Sequence, residues 1–426
     1  MIKTNIKALL KEKILVLDGA TGTAIQAHHL EEKDFKGSLD LSHSQKGNND
    51  LLNLTKPDLI KDLHQSYLEA GADILKTNTF NANAISQSDY GCEDLVYKIN
   101  YESAKLAVSV ADEYTLKDPS KPRYVAGSIG PTNRTASLSP DVENPGIRNI
   151  TFDALKNAYI TQVEGLVDGG VDLLLIETIF DSLNARAAIM ASDEVLTQKG
   201  LDVPLMISGT ITDKSGRILS GQTLEAFKQT IKHDRILSVG LNCAFGPKDL
   251  VPYLRELSKH EELYISFHPN AGLPNALGEY DETPDEMAQE ILPLAKEGRL
   301  NIVGGCCGTT HAHIHEIAES VKNIPPRVKH ETDHVTHFAG LEDVVMTKDS
   351  NFINIGERCN VAGSKKFARL IKEKKYEEAI AIAKDQVENG AQILDINFDD
   401  ALLDANEEMG TFLKLIASEP DIAKVP

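Results

Sequence analysis

The stretch Asn301-Ile-Val-Gly-Gly-Cys-Cys-Gly-Thr-Thr310 places two adjacent cysteines among glycines, directly after a short apolar run. The apolar run predicts a strand, and in a strand neighbouring side chains point to opposite faces. Both thiols can therefore serve one centre only if the chain turns there, and the flanking glycines permit such a turn. A third cysteine, Cys243, ends a second apolar run that contains Val239-Gly-Leu-Asn-Cys243. The two stretches predict a thiolate metal site at the ends of two strands, with one position left open.

Similar short apolar runs recur along the whole chain, and most are followed by a stretch with helical periodicity. Strands that alternate with helices predict parallel βα units. Eight such units within about 320 residues favour an α/β fold of the (β/α)8 TIM-barrel type over an open, doubly wound sheet. The predicted strands are Ile14–Ala20, Ala72–Phe80, Tyr124–Pro131, Leu173–Ile179, Pro204–Ile211, Leu237–Cys243, Tyr264–Asn270 and Ile302–Gly308.

Polar or sulfur-bearing residues stand at the carboxyl ends of seven of these strands. They include Asp18, Thr77, Ser128, Glu177, Cys243, His268 and Cys306. In a barrel those ends meet at one mouth, which is where active sites are built. One such strand end would mean little, but seven predict a functional site at the mouth.

The domain organisation follows from where this pattern stops. We predict a barrel over residues 1–324, a linker over 325–350 that is rich in proline, histidine and charged residues, and a second unit over 351–426. The second unit begins with a new βα pattern at Phe352, and the chain stops where a further strand is due. The sequence thus predicts the incomplete start of a second (β/α)8 barrel, and a chain that is a fragment of a longer protein.

Composition excludes several classes of function. Acidic residues outnumber basic ones by 64 to 44, giving a formal net charge of −20, and nucleic-acid binding requires clustered positive charge. No run approaches the 18 or so apolar residues of a membrane span, and the N-terminus lacks an apolar signal core. Five cysteines in 426 residues do not make a disulfide framework, so we predict a reduced, cytoplasmic setting.

Three thiolates in a reduced protein indicate zinc as the metal. Structural zinc usually takes four protein ligands, whereas three leave a position for substrate, which is the catalytic arrangement. A site of three thiolates carries a net charge of −1 with zinc, so it suits the deprotonation of an incoming thiol better than the activation of water. Thiol alkylation is the reaction class that results. Two alternatives stay open: buried cysteines without metal, and a non-catalytic zinc or thiol-buffering protein.

The other strand ends suit an amino-acid thiol. Glu177 offers an acidic group for an ammonium ion, and Thr77 adds a hydroxyl. Asp18 precedes Gly19-Ala-Thr-Gly-Thr23, whose amides could hold a carboxylate as a backbone nest does. The alternative for each residue alone is a helix N-cap or a turn at a strand end.

The motifs and their order resemble the homocysteine S-methyltransferase family. The matching stretches are Asp18-Gly-Ala-Thr-Gly-Thr23, Thr77-Asn-Thr-Phe80, Gly127-Ser-Ile-Gly-Pro131, Glu177-Thr-Ile-Phe-Asp181, Gly240-Leu-Asn-Cys243 and Gly304-Gly-Cys-Cys-Gly308. More narrowly, three further stretches resemble cobalamin-dependent methionine synthases: Lys46-Gly-Asn-Asn-Asp50, Gly130-Pro-Thr-Asn-Arg-Thr-Ala-Ser137 and His268-Pro-Asn-Ala-Gly-Leu-Pro274.

This resemblance implies a set of ligands for the barrel. Cys243, Cys306 and Cys307 would bind zinc, and the sulfur of homocysteine would take the fourth position, which Asn270 can occupy when substrate is absent. The amino-acid end of homocysteine would be held by Asp18, Gly19, Thr77 and Glu177. The implied methyl donor is methylcobalamin, bound by a domain that this chain lacks. The implied partners are therefore homocysteine and the methyltetrahydrofolate and cobalamin domains of a full enzyme.

The second unit resembles the start of the methyltetrahydrofolate-binding, or pterin-binding, barrel of the same enzymes. The likeness suggests Asn360, Asp395 and Asn397 as pterin contacts, within an incomplete folate site. An alternative is a cobalamin-independent homocysteine methyltransferase that uses betaine or S-methylmethionine. Such enzymes end after one barrel, so the residues beyond 350 argue against it.

Overall fold

The computed structural model describes residues 5–259, 261–276, 278–331 and 335–426. Its main element is a parallel sheet of eight strands in which the second to the seventh each pair with the next along the chain and the eighth pairs with the first. A single bridge between Leu17 and Ile74 joins the remaining two edges, so the sheet closes into the predicted (β/α)8 barrel. Its strands are β1 (Leu15–Val16), β2 (Ile74–Lys76), β3 (Tyr124–Ile129), β4 (Leu173–Ile179), β5 (Leu205–Gly209), β6 (Ile236–Asn242), β7 (Tyr264–His268) and β8 (Ile302–Val303).

Each barrel strand is followed by a helix that covers the outside of the sheet. These helices are Pro57–Glu69, Val96–Lys117, Phe152–Asp168, Ser182–Lys199, Leu224–Ile231, Pro247–Leu257, Pro284–Lys296 and His311–Val321. Shorter helical segments lie at the N-terminus and in the first two connections: Ile6–Leu9, Thr21–Gln26, Glu32–Lys36, Asn49–Leu51, Leu52–Thr55, Ala84–Gln87, Ser88–Tyr90 and Glu93–Leu95. Among the described residues, no helix is both long and apolar enough to cross a membrane.

The alternation of side chains along β4 explains why the side chain of Glu177 points into the barrel at its mouth. Leu173 and Leu175 belong to one buried apolar cluster, which fills the interior with residues of the other strands. Leu174 and Ile176 belong to the other cluster, which packs the sheet against the helices. Because successive side chains of a strand point to opposite faces, Glu177 continues the inward row at the carboxyl end of the strand.

Six of the eight barrel strands are shorter than predicted, and β8 differs from its predicted range at its glycine-rich end. Strand β8 ends at Val303 rather than Gly308, because the chain turns at its glycines: a Cβ on Gly304 would lie 2.6 Å from the carbonyl oxygen of Leu17. Hydrogen bonds to β7 and its extension continue through the turn, since the amide of Gly304 donates to the carbonyl of Phe267 at 3.0 Å. The glycines therefore end regular pairing while keeping this segment against the barrel mouth.

The predicted linker contains a hairpin in its described part. Strands β9 (Thr336–Ala339) and β10 (Asp343–Met346) pair antiparallel, and residues 332–334 lie outside the described ranges. The hairpin is attached to the barrel, because the amide of Thr223 donates to the carbonyl of Leu341 at 2.9 Å and Arg217 pairs with Glu342 at 2.7 Å. The segment is therefore a structured connection, at least over the hairpin.

The second unit consists of two parallel strands, β11 (Ile355–Asn360) and β12 (Ile393–Asn397), with helices around them. Its core is separate from that of the barrel and centres on Phe367, Phe398 and Phe412, whose ring centroids lie 5.2–5.6 Å apart. Two parallel strands do not identify a barrel, so the second barrel stays a prediction, as do the domain boundaries. The helices of this unit are Lys365–Lys372, Tyr376–Glu388, Ala405–Ile416 and Pro420–Ala423.

Candidate metal centre

The structure brings the three predicted thiols together at the barrel mouth. The Sγ atoms of Cys243, Cys306 and Cys307 all lie within 4.8 Å of one another, and those of Cys243 and Cys307 are 3.7 Å apart. A tetrahedral zinc ion with Zn–S bonds of about 2.3 Å requires sulfur atoms about 3.8 Å apart. The cluster therefore fits a zinc ion with little rearrangement.

Strained backbone φ angles occur at and beside these thiols. Cys243 and Ala244, which follow β6, have φ angles of +62° and +60°, and Thr178 in β4 has a φ of +58°. Non-glycine residues rarely adopt such angles, which persist where the surrounding structure fixes them and which cluster at functional sites. The other non-glycine residues with positive φ in the described ranges are His29 and Lys374. Most of this strain is thus found at one place, the mouth of the barrel.

Asn242 is a supporting residue that the sequence analysis did not propose. Its Nδ2 donates to Thr178 Oγ1 at 2.8 Å and lies 3.7 Å from Cys306 Sγ, while its Oδ1 accepts from Ser208 Oγ at 2.6 Å. Groups that hydrogen-bond to metal ligands orient them and tune the metal. Asn242 is therefore placed to hold the Cys306 sulfur in position.

The environment of the thiols favours an uneven distribution of protons. Hydrogen bonds with Cys243 and Cys306 lower the pKa of the Cys307 thiol, and hydrogen bonds with Cys306 and Cys307 raise the pKa of the Cys243 thiol. The Tyr280 hydroxyl also lowers the pKa of Cys307, and its ring packs against Gly308 so closely that a Cβ there would lie 2.2 Å from it. Tyr280 covers the cluster from the β7 side, and the sequence analysis did not single it out.

Asn270, which the resemblance implies as a fourth ligand, lies beside the cluster. Its Oδ1 accepts a hydrogen bond of 3.1 Å from the amide of Cys307, and its side chain is buried. An amide oxygen has two lone pairs, so this bond leaves one of them free. The position is compatible with the predicted ligand role, which stays a prediction.

Two buried carboxyl groups accompany the thiols. Glu177 accepts a hydrogen bond of 2.6 Å from Ser128 Oγ, and burial raises its pKa although Lys76 opposes the rise. Asp18 Oδ2 accepts from the amide of Lys76 at 2.8 Å, whereas its buried Oδ1 has no hydrogen-bond partner among the described residues. Burial raises the pKa of Asp18 to about 7. An unpartnered buried carboxylate oxygen suits a ligand that donates hydrogen bonds.

The remaining predicted residues have clear structural contacts. The hydroxyl of Thr77 accepts from the amide of Ser128 at 2.9 Å and lies 2.6 Å from that of Thr79. Gly19 leaves room for the ring of Tyr67, because a Cβ there would lie 2.7 Å from that ring. Their contacts with substrate stay predictions.

A cavity of about 270 Å³ lies at the cluster and is lined by the three cysteines, Thr77 and Glu177, whereas Asp18 and Gly19 are not among its lining residues. Its wall contains one lysine, Lys76, which lies within the predicted strand Ala72–Phe80 and was not proposed as a site residue. It also contains Asp50, whose carboxylate accepts from the amide of Asn81 at 3.0 Å. The residues that line the cavity are Ala20, Thr21, Gly22, Thr23, Asn49, Asp50, Lys76, Thr77, Asn78, Thr79, Phe80, Asn81, Ser128, Glu177, Thr178, Cys243, Cys306 and Cys307.

Residues 15–321 match the family profile described as homocysteine S-methyltransferase. The match covers the whole barrel and all three cysteines of the cluster. The chain belongs to the homocysteine S-methyltransferase family. Beyond the barrel, residues 356–426 match the profile described as pterin binding enzyme, so this member of the homocysteine S-methyltransferase family also carries a pterin-binding segment.

Solved structures agree with this family assignment. The metallated form of the homocysteine methyltransferase MmuM from Escherichia coli is 25% identical, with a TM-score of 0.59, and the alignment covers 74% of this chain and 99% of that one. The oxidized form of the same protein is 24% identical over the same shares, also with a TM-score of 0.59, and supports the fold alone. These comparisons support a methyltransferase of the homocysteine S-methyltransferase family.

The pterin-binding segment brings its three predicted residues together. Asn360 and Asn397 are partners in the register of β11 and β12, and Asn360 Nδ2 donates to Asp395 Oδ2 at 3.4 Å. Asn360 and Asn397 end the two parallel strands and Asp395 lies two residues before the end of β12, near the edge where ligands of α/β proteins bind. Contact with a pterin stays a prediction.

The pH dependence of stability provides a test of the electrostatics at the mouth. Burial raises the pKa of Asp50 to about 7, so ionising this carboxyl opposes folding increasingly from pH about 4 to 7 and by a constant amount above. We expect Asp50→Asn to raise the free energy of unfolding at pH 8 by up to about 4 kcal/mol, and by less at pH 5. Urea denaturation at the two pH values measures this difference. The control is Asp62→Asn, because Asp62 is exposed. An equal rise in the free energy of unfolding of Asp50→Asn at both pH values would contradict a raised pKa for Asp50.

Proposed function

We propose that this chain is the homocysteine module of a cobalamin-dependent methionine synthase, and that it transfers a methyl group to zinc-activated homocysteine to form methionine. The observation that carries the proposal is the cluster of three thiols beside the buried Asp18 and Glu177. The pterin-binding match on the same chain supports a donor system that involves methyltetrahydrofolate. Five free cysteines fit the reduced, cytoplasmic setting that we also propose.

In this proposal Cys243, Cys306 and Cys307 hold a zinc ion, with Asn270 as a further ligand in the absence of substrate. Zinc at this position would keep the sulfur of a bound thiol deprotonated at neutral pH. The cysteines hold the substrate sulfur at the floor of the cavity, and Asn242 keeps the Cys306 sulfur oriented.

The amino-acid end of homocysteine would be held by the carboxylates. Asp18 Oδ1 is buried and has no hydrogen-bond partner among the described residues, and Glu177 is 4% exposed. An ammonium group placed between them would donate a hydrogen bond to Asp18 Oδ1, which has no donor among the described residues, and would add its positive charge to that of Lys76 beside the two carboxylates. Gly19 and Thr77 complete the proposed contacts, through the backbone of the loop after β1 and the hydroxyl at the end of β2.

The proposed methyl donor is methylcobalamin, which a separate domain would carry. Asn360, Asp395 and Asn397 are proposed to contact the pterin ring of methyltetrahydrofolate. Methylcobalamin supplies the transferable methyl group and accepts the electron pair of the broken bond. The barrel therefore needs to position a thiolate in an open cavity, and the cysteine cluster and the cavity at its mouth support this role.

A donor assay tests this proposal. The zinc-loaded chain is supplied with homocysteine and with methylcobalamin, betaine or S-methylmethionine in turn, and methionine is quantified by mass spectrometry. We expect methionine from methylcobalamin only. Homoserine, which lacks the sulfur, is the control substrate and should yield no methylated product. Turnover with betaine or S-methylmethionine and none with methylcobalamin would instead favour the cobalamin-independent alternative.

A further inference from the structure

Lys76 is a buried cation at the barrel mouth whose presence the proposed reaction does not by itself explain. It is the last residue of β2 and is 6% exposed. A charged ammonium group costs several kcal/mol to bury unless charged or polar partners compensate. Among the described residues that line the cavity, it is the one basic side chain, and the charges of Glu177, Cys306 and Cys307, which line the same cavity, act on it.

Lys76 contacts Asp18 through both its backbone and its side chain. Its amide donates to Asp18 Oδ2 at 2.8 Å, and its Nζ lies 3.7 Å from Asp18 Oδ1. Its Nζ also donates to the carbonyl of Gly305 at 3.3 Å, and the amide of Gly305 donates to the carbonyl of Asp18 at 3.2 Å. The three residues thus link the ends of β1, β2 and β8, and one oxygen of Asp18 is fixed while the other faces a positive charge.

Lys76 also balances the other charges around Asp18. Although burial favours the neutral amine, the negative charges of Glu177 and Asp18 hold the pKa of Lys76 above its usual value, so it stays charged. Glu177 raises the pKa of Asp18 and Lys76 lowers it. The titratable groups that face Asp18 or Lys76 from the surrounding elements are Tyr67 on its helix, Glu177 on β4, His268 on β7, and Cys306 and Cys307 after β8.

We propose that Lys76 is a positioning residue, which holds the Asp18 carboxylate oriented and charged so that it can bind the ammonium group of the amino-acid substrate. This inference rests on the proposed function, because it assumes that an amino acid binds at Asp18. A protonated Asp18 has no charge for an ammonium ion, and burial already brings its pKa to about 7 with Lys76 present. Loss of the lysine charge therefore shifts the ionisation of Asp18, and with it substrate binding, to higher pH.

The experiment measures how methionine binding depends on pH, using the full zinc-loaded chain. Methionine has the amino-acid end of the proposed substrate and no titratable thiol, so its affinity reports on the carboxylates. Isothermal titration calorimetry from pH 6 to 9 is expected to show wild-type affinity that falls below pH about 7. Lys76→Met should raise this midpoint by at least one pH unit, which lowers the affinity at pH 6 about tenfold. Lys76→Arg, which keeps the charge, should leave the midpoint close to that of the wild type.

Lys13→Met is the matched control. Lys13 also pairs with a buried aspartate, since its Nζ lies 2.8 Å from Asp73 Oδ1, but this pair is at the opposite end of the barrel, before β2. Lys13→Met should leave the pH midpoint of methionine affinity unchanged. Zinc content and circular dichroism verify that each variant is folded and loaded. If Lys76→Met does not fold, Lys76→Gln, which can still donate to the Gly305 carbonyl, replaces it in the same titration.

The outcomes separate the two hypotheses. A neutral variant at residue 76 that binds methionine with the wild-type midpoint and affinity overturns the role of Lys76 and leaves the proposed function standing. A wild-type chain that binds zinc but no methionine at any pH overturns the amino-acid site itself, and the inference fails with it. A shifted midpoint in the Lys13 control as well would show a general effect of lysine loss and would also overturn the proposal.

Discussion

Replacing Cys306 with serine is expected to release the bound metal and to lower homocysteine methylation by more than about 100-fold. Substitution of groups that merely support metal ligands typically costs about 10 to 100-fold in affinity or activity, so the loss of a ligand should cost more. Serine is nearly the same size as cysteine, but its hydroxyl is not ionised at neutral pH and is a poor zinc ligand. The barrel should therefore stay folded while the metal leaves.

Metal content by mass spectrometry and methionine formation from methylcobalamin measure the two effects together. Cys92→Ser is the control, because Cys92 is buried outside the cluster and its sulfur donates to Gln45 Oε1 at 3.3 Å, a bond that serine can also make. It should keep both metal and activity. Full activity in a Cys306→Ser protein that holds no metal would show that methyl transfer does not depend on this site.

The barrel and its cluster could be predicted because their signals repeat or are chemically rare. Eight apolar runs alternate with helical patterns, and the geometry of parallel βα units brings their carboxyl ends together whatever lies between. Cys243 and Cys306 are far apart in sequence, yet this convergence, together with the resemblance, was enough to place their thiols near one another. The same reasoning placed Glu177 at the mouth, because it stands near the carboxyl end of the predicted strand Leu173–Ile179.

The contacts of Lys76 could not be predicted in the same way. A lysine at a strand end is usually solvated, and its partner Asp18 is 58 residues away with nothing in the local sequence to indicate it. Asn242 and Tyr280 were missed for a related reason, since an amide or a phenol becomes informative only when its distance to a sulfur atom is known. The direction of side chains at the mouth also depends on positive φ angles, such as that of Cys243. Non-glycine residues rarely adopt such angles, so the sequence does not predict them.

The sequence also did not predict the hairpin that follows the barrel. Its strands, β9 and β10, are four residues each and carry histidine, threonine and aspartate beside their apolar residues. A two-stranded hairpin of this length is not stable alone. It forms here on the barrel surface, where Gln222 Nε2 donates to the carbonyl of Gly340 at 2.9 Å and the amide of Thr223 donates to that of Leu341. Tertiary contacts therefore decide the structure of this segment.

Replacing Glu177 with glutamine is expected to raise the KM for homocysteine by about 100-fold and to change kcat by much less. Glutamine keeps the shape of the side chain, and its Oε1 can still accept the hydrogen bond from Ser128 Oγ, so the substitution removes mainly the charge. The loss of one partner of a buried charge pair typically costs 2–5 kcal/mol, and about 2.7 kcal/mol corresponds to 100-fold in affinity. The ammonium group is distant from the reacting sulfur, so its contact contributes equally before and during methyl transfer, and such uniform binding appears in KM.

Steady-state kinetics with homocysteine and methylcobalamin, at constant zinc occupancy, measure both parameters. Glu261→Gln is the matched control, because Glu261 is also a buried glutamate but pairs with Lys228 near the start of β7, at the opposite end of the barrel from the cysteines. That variant should lose stability and keep its KM. A Glu177→Gln enzyme whose kcat falls while KM stays constant would place Glu177 in the methyl-transfer step, and one with wild-type kinetics would exclude it from the substrate site. The expected rise in KM alone, found in Glu177→Gln and not in Glu261→Gln, identifies the carboxylate beside the thiols as the group that binds the ammonium ion.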